Sequence, residues 1–275
     1  MGFLGRIWAI ALNTFREAVR MRVLYGIIAL VFLVNAVGLF MSEVNLGEQT
    51  RMMRDVAVSS ISFFGSMIAI FLGVVLLYVE VQRRTIHSII SKPIERWEFV
   101  VGKYVGMTLV LSVLAAFFIG GMLAMMVLDI GHGSNLVKGE LGVLSSNVFK
   151  ATWLAYVGIL TVAAVAIFFS SFSSPFLSGL FALGLFAVGN LTPDLQAIAA
   201  KQSGLAGGLV KGMLWVIPDL HTFVISGREV DGQHVSLHAG FVGWDYVTQA
   251  SAYGALWIAG LLALACVIFQ RRDFV

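Results

Sequence analysis

Charged side chains are scarce in this sequence: Lys, Arg, Asp and Glu make up 12% of 275 residues, against 59% hydrophobic. A water-soluble globular chain carries about 25% charged and about 45–50% apolar residues. The deficit excludes a soluble fold, which could not hide so much apolar surface. Cysteine is nearly absent. Cys266 stands alone in the last apolar stretch, so neither an intrachain disulfide nor a cysteine-cluster metal site can form. Nucleotide-binding and hydrolytic signatures are missing as well. No phosphate-cradling Gly-x-x-x-x-Gly-Lys-Ser/Thr loop occurs, and the run from Gly204 to Lys211 fails both its spacing and its terminal hydroxyl. ATP, if used, is hydrolysed by another chain. There is no His-Glu-x-x-His zinc helix and no Gly-x-Ser-x-Gly nucleophile elbow, which leaves an intramembrane hydrolase without its usual residues. A secretory leader is not expected: the apolar run from Ile7 to Leu12 is short, and Arg16, Glu17, Arg20 and Arg22 follow it with no small-residue cleavage site.

What is abundant is uncharged apolar sequence, in stretches long enough for helices to cross a hydrocarbon core of roughly 30 Å. Spans are expected near residues 23–41, 56–79, 99–128, 148–169, 175–192 and 248–269. The fold class that follows is all-α, a polytopic membrane protein with six transmembrane helices in a single domain over residues 1–275. Residues 1–22 place Leu4, Trp8, Ala11, Phe15 and Val19 at helical spacing, with Arg6, Asn13, Arg16 and Arg20 elsewhere on the wheel. That pattern suits an interfacial helix ahead of the first span. Eleven of the eighteen basic residues fall in the short segments that lie inside if the N-terminus does, so both termini are expected to be cytoplasmic. The charge of +3 and the pI near 9.1 then reflect topology, and no nucleic-acid partner is expected.

The turn Ser170 to Pro175 ends one helix and restarts another, so the fourth and fifth spans form a hairpin. Residues 193–247 form the largest outer segment, and Leu195 to Ile217 is apolar enough to dip back as a re-entrant helical element. Gly204, Gly208 and Gly212 repeat every fourth residue, which is either a helix-packing face or a flexible glycine-rich loop. Thr222 to Ile225, Asp231-Gly232 and His234 to Leu237 read as a hairpin capping the outer face. His234 and His238, with Asp231 nearby and His221 upstream, have a metal-ligand spacing. In an irregular polar loop without cysteine they are surface histidines, and no metal is expected. Within the spans, Ser62, Ser66, Thr108, Ser112 and Thr161 can hydrogen-bond to their own helix. Asn35 and Asn190 seek either an interhelical hydrogen bond or a wet cavity.

Between the second and third spans, residues 80–98 place Ile86, Ile89 and Ile90 on one face of a short charged helix that breaks at Lys92-Pro93. Such a helix needs a partner or the membrane surface. Glu80, Thr85-Ile86, Ser91-Lys92-Pro93, Arg96 and Gly102-Lys103-x-x-Gly106, with Pro218-Asp219-Leu220 and Arg271-Arg272-Asp273-Phe274, resemble a bacterial permease of the ATP-binding-cassette type-2 family. The resemblance implies the transmembrane subunit of an exporter in the bacterial cytoplasmic (inner) membrane, multi-pass and among membrane lipids. It pairs with a second permease copy or a similar permease and with two cassette ATPase subunits. Those partners would use ATP and Mg, while this chain binds no cofactor and is not an enzyme. The resemblance makes residues 80–98 a cytoplasmic coupling helix, with Glu80, Arg84, Thr85, Ile86, Ile89, Ile90, Lys92, Pro93 and Arg96 as ATPase-coupling residues. It also implies the re-entrant element before the sixth span, and Asn35 and Asn190 would line the translocation path if the first and fifth spans meet at the dimer seam. The rival expectation is a mechanical transmitter that moves no substrate and relays ATP energy to an outer or periplasmic protein docked on 193–247.

Overall fold

The computed structural model describes residues 2–22, 24–26, 28–29, 49–82, 95–131, 138–201, 208, 212, 214–224, 228–230, 233–235 and 242–271, with side chains omitted at 49–57, 78–82, 119, 121–131, 138–145, 228–230 and 233–235. The described elements are α1 (Phe3–Val19), α2 (Gln49–Gln82), α3 (Arg96–Gly131), α4 (Lys138–Ser170), α5 (Pro175–Asn190), α6 (Thr192–Lys201), a 3-10 turn (Leu220–Phe223), strands β1 (Arg228–Val230) and β2 (Gln233–Val235), and α7 (Trp244–Arg271). Among the described residues four helical segments are long and apolar enough to cross a membrane: Val58–Leu77, Arg96–Phe118, Ser146–Ser170 and Trp244–Arg271. A fifth results if α5 and α6 count as one span bent by 64°. The expected first span at 23–41 lies mostly outside the described residues.

α4 is the centre of the bundle. In its span 72% of the most apolar window is buried, against 22% for α7, so α4 packs on all sides and α7 turns most of its surface outward. Close approach comes from small residues: a Cβ on Gly73 of α2 would sit 2.6 Å from the Ala166 Cβ of α4. Polar side chains in the spans bond to their own backbone. Thr108 Oγ1 donates to Tyr104 O at 2.9 Å, Ser112 Oγ to Thr108 O at 2.7 Å and Thr161 Oγ1 to Val157 O at 3.0 Å, as hydroxyls in lipid must.

α4 and α5 form the expected hairpin. Ser171 Oγ donates to Phe168 O at 2.7 Å and Ser178 Oγ to Phe169 O at 3.2 Å, satisfying carbonyls at the end of α4. Pro175 starts α5 at a position where its missing N–H is not needed. Pairs such as Tyr104 with Leu160 and Arg96 with Gln270 show α3 antiparallel to α4 and α7. The end of α7 and the start of α3 therefore lie at one end of the bundle, where α1 also packs. α2 runs parallel to α4, toward that end, and so begins at the other.

Two expectations about residues 193–247 change. A hairpin is present, but its antiparallel register is Arg228 with Val235, Glu229 with His234 and Val230 with Gln233, so the first strand starts later than Thr222. Leu220 and Phe223, three apart and both buried, instead close a 3-10 turn whose amide His221 N donates to Asp219 Oδ1 at 3.1 Å. Period three, the eclipsed spacing of that helix, competes there with the alternation of a strand.

Candidate functional site

The start of α3 is held in a clasp. Glu98 is 1% exposed and accepts two hydrogen bonds from Arg6 on α1, from Nε at 3.0 Å and Nη2 at 2.6 Å. It also accepts from the Glu95 amide at 3.2 Å, which satisfies a backbone donor ahead of the helix. The bidentate pairing holds the Arg6 guanidinium above its ordinary value. One turn deeper, Lys103, 2% exposed, reaches Glu17 of α1 at 3.5 Å and lies 5.7 Å from the centre of the Phe99 ring. Phe99 in turn stacks on Phe269 of α7 with centroids 5.8 Å apart.

Gly102 and Gly106 explain why α1 comes so close. A Cβ on Gly102 would stand 2.8 Å from Ile10 Cβ; one on Gly106 would stand 2.5 Å from Thr14 Cβ and 2.7 Å from Ala11 O. The Gly-Lys-x-x-Gly motif is thus a small-residue packing motif, with Ala11, Thr14 and Ala18 buried opposite. Of the glycines expected in that role, Gly208 and Gly212 have nothing within 4 Å of an added Cβ among the described residues, and Gly204 lies outside them.

A buried carboxylate stripped of its partner is costly, while removing both partners for apolar groups is often neutral. Arg6→Met is therefore expected to lower the melting temperature in detergent clearly, and Arg6→Met/Glu98→Leu to restore much of it. A double variant no more stable than the single one would mean the clasp is held by the glycine contact alone.

Of the coupling residues, Arg84, Thr85, Ile86, Ile89, Ile90, Lys92 and Pro93 lie outside the described residues, and Glu80 falls in the last turn of α2. Arg96 opens α3 and donates from Nη1 to Gln270 O of α7 at 2.9 Å, tying the segment's exit to the end of the last helix. Trp97, between Arg96 and Glu98, donates to the Glu95 carboxylate and packs on Phe3. The head of α3 is thus tied to α1 and to α7 together.

A second constellation sits deeper. Pro218-Asp219-Leu220 leads into the 3-10 turn, which wedges between three helices. An added Cβ on Gly189 of α5 would be 2.9 Å from Leu220 Cγ, on Gly158 of α4 3.0 Å from Phe223 Cβ, and on Gly254 of α7 3.1 Å from Phe223 Cζ. Tyr253 Oη accepts from Asp219 N at 2.8 Å, and Tyr246 Oη donates to Thr222 O at 2.9 Å. Gly158 is the midpoint of the Ser146–Ser170 span, about 18 Å from either end. The turn therefore lies at mid-depth, where non-helical backbone is tolerated only when protein or a wet cavity covers it. α5, 16 residues long, rises only about 24 Å and bends into α6 at the same level.

Asn190 is half-buried at that bend and donates within its own helix, from Nδ2 to Phe186 O at 2.8 Å; Asn35 lies outside the described residues. Among the described residues no group of three or more His, Cys, Asp or Glu is arranged to hold a metal. A family model described as ABC-2 family transporter protein matches residues 8–274 of the chain. No curated protein matches it.

Proposed function

The chain belongs to the ABC-2 family of transporter proteins, and from that membership we propose that it is the permease subunit of an exporter driven by separate cassette ATPases. The observation that carries the coupling reading is the clasp. The head of α3, directly after the 83–94 segment, is fastened to α1 through Glu98 and Gly102 and to α7 through Arg96, so a push on that segment has a rigid body to turn. Two ATPases, with ATP and Mg, dock on residues 80–98 at the cytoplasmic face of the inner membrane, and closure of the ATPases drives the outward-facing state. The permease is a dimer. α5 supports this with an apolar face of Phe176, Leu180 and Leu183 that is exposed among the described residues, beside Gly184, where none of them lies within 4 Å of an added Cβ. Asn190 borders the translocation path at the level of the mid-depth turn.

Docking by the apolar face of Ile86, Ile89 and Ile90 outweighs docking by charge. An exposed ion pair contributes about 0.2–1 kcal/mol and a buried aliphatic side chain about 1.5–3 kcal/mol. Ile89→Asp is expected to weaken ATPase binding at least about tenfold, and Arg96→Ala less than that, its guanidinium being engaged within the chain. Pull-down affinity, ATPase rate and transport, measured on the same variants in nanodiscs, test this. ATP turnover by the purified chain alone would overturn the division of labour. Docking retained by Ile89→Asp and lost by Arg96→Ala would overturn the coupling helix. ATP turnover coupled to an outer protein without substrate movement would replace transport by relay.

A further inference from the structure

We propose that the polar face of α1 lines a water-filled vestibule at membrane depth and receives there the anionic group of a water-soluble substrate. α1 does not take the surface position that its amphipathic pattern suits. Arg6 with Glu98, Ile10 with Gly102 and Thr14 with Gly106 keep one offset of 92 positions, so α1 runs parallel to α3, into its span. Continued at that offset, Arg16 and Arg20 stand level with residues 108–112 of α3, about 18–24 Å from the end that opens at Arg96. α4 gives the same depth. Ser112 Oγ lies 2.5 Å from Tyr156 Oη, and Tyr156 is about 15 Å and 21 Å from the two ends of the Ser146–Ser170 span. Arg20 therefore stands near the middle of the bundle.

The side that carries these arginines is turned away from α3. Ala11, Thr14 and Ala18 are buried on one side of α1. Ala9, Asn13, Arg16 and Arg20, all exposed, fall on the opposite side within an arc of about 60° on the wheel. Glu17, the only acidic residue in positions 2–22, points to Lys103 on α3. Among the described residues no carboxylate lies within ion-pair distance of Arg16 or Arg20. A guanidinium cannot be deprotonated to escape its surroundings, and these two lie too deep for their side chains to reach the membrane surface. Charges at such depth face a wet cavity or a partner and mark solute pathways, so water reaches this face. A positively charged cleft with low-dielectric walls concentrates anions, and two guanidinium forks one turn apart fit a phosphate or carboxylate. A soluble anion is favoured over a lipid because the face is level with acyl chains, where no headgroup sits. In making that anion part of the exported substrate, the inference rests on the proposed function.

The full chain carrying Asn13→Cys and Cys266→Ala is placed in phosphatidylcholine nanodiscs and treated with methanethiosulfonates bearing either a sulfonate or a trimethylammonium group. Relative to a free thiol in solution, position 13 is expected to favour the anionic reagent at least about tenfold, the effect of two unit charges at close range in water. Most of that preference should be lost in Arg16→Gln/Arg20→Gln. Excess inorganic pyrophosphate should protect position 13 while both arginines are present, and more than sodium chloride of equal ionic strength does. Leu256→Cys, midway along α7 where the native side chain is 73% exposed, should react with neither reagent in any variant, showing the bundle intact. No reaction at position 13, equal preference for the two reagents, or a preference undiminished by the double substitution overturns the proposal. Protection by phosphatidylglycerol in the disc, where pyrophosphate gives none, assigns the face to lipid and overturns it too. Neither ATPase nor transport enters the measurement. A wet, anion-selective face on a chain that binds no ATPase sinks the proposed function and leaves the vestibule standing, whereas a dry face on a chain that couples to ATPases sinks this inference alone.

Discussion

Gly106→Val is expected to detach α1 from α3 and to abolish assembly with the ATPases. Its Cβ would sit 2.5 Å from Thr14 Cβ and 2.7 Å from the Ala11 carbonyl, and neither obstacle is the free end of a side chain. The helix axes must separate, which breaks the Arg6–Glu98 and Lys103–Glu17 pairs. Overpacking typically costs about 1–3 kcal/mol, and this case lies at or above the top of that range because an element, not a rotamer, must move. Gly65→Ala is the control. Its Cβ meets Ile159 Cδ1, a terminal methyl that can rotate away, so it should cost about 1 kcal/mol or less. Thermal unfolding of both variants and protease cleavage within α1 measure the difference. Equal loss at the two sites would mean that α1 is not held by this contact.

Phe223→Ala is expected to cost about 3–5 kcal/mol, the usual penalty for deleting a buried aromatic, and to eliminate transport. Phe223 is 2% exposed and fills the seat between Gly158 and Gly254. Without it, the side-chain hydrogen bonds at Asp219 N and Thr222 O must hold a non-helical turn at mid-depth alone. Tyr253→Phe, which keeps the ring and removes one acceptor, should cost only about 0.5–1.5 kcal/mol. The two separate packing from hydrogen bonding: a larger effect of Tyr253→Phe would place the hold in the hydrogen bond. Transport into vesicles and unfolding midpoints provide the readouts.

Apolar length was the most legible signal. The expected spans at 56–79, 148–169 and 248–269 lie within helices Gln49–Gln82, Lys138–Ser170 and Trp244–Arg271. The helices run past the spans because backbone hydrogen bonding does not stop where hydropathy does. Partners were not legible. Gly102-x-x-x-Gly106 and Gly208-x-x-x-Gly212 share one spacing, yet among the described residues only the first meets a helix, and that helix comes from residues far earlier in the chain. The same holds for Glu98, whose charge is plain in sequence while its pairing with Arg6 is a fact of folding. The 3-10 turn was misread as strand because a run of Thr, Phe, Val and Ile has β propensity, and only burial reveals that Leu220 and Phe223 share a side.

Order of synthesis adds a constraint. The mid-depth turn is made after α4 and α5, which supply Gly158 and Gly189, but before α7, which supplies Gly254 and Tyr253. When Leu220–Phe223 leaves the ribosome, its seat is still missing one wall. The turn therefore settles only once the last helix has inserted, so α7, the least buried of the four long described spans, is the element that completes it. Truncations that remove α7 should leave a chain that inserts but keeps this apolar turn exposed, a natural mark for quality-control proteases.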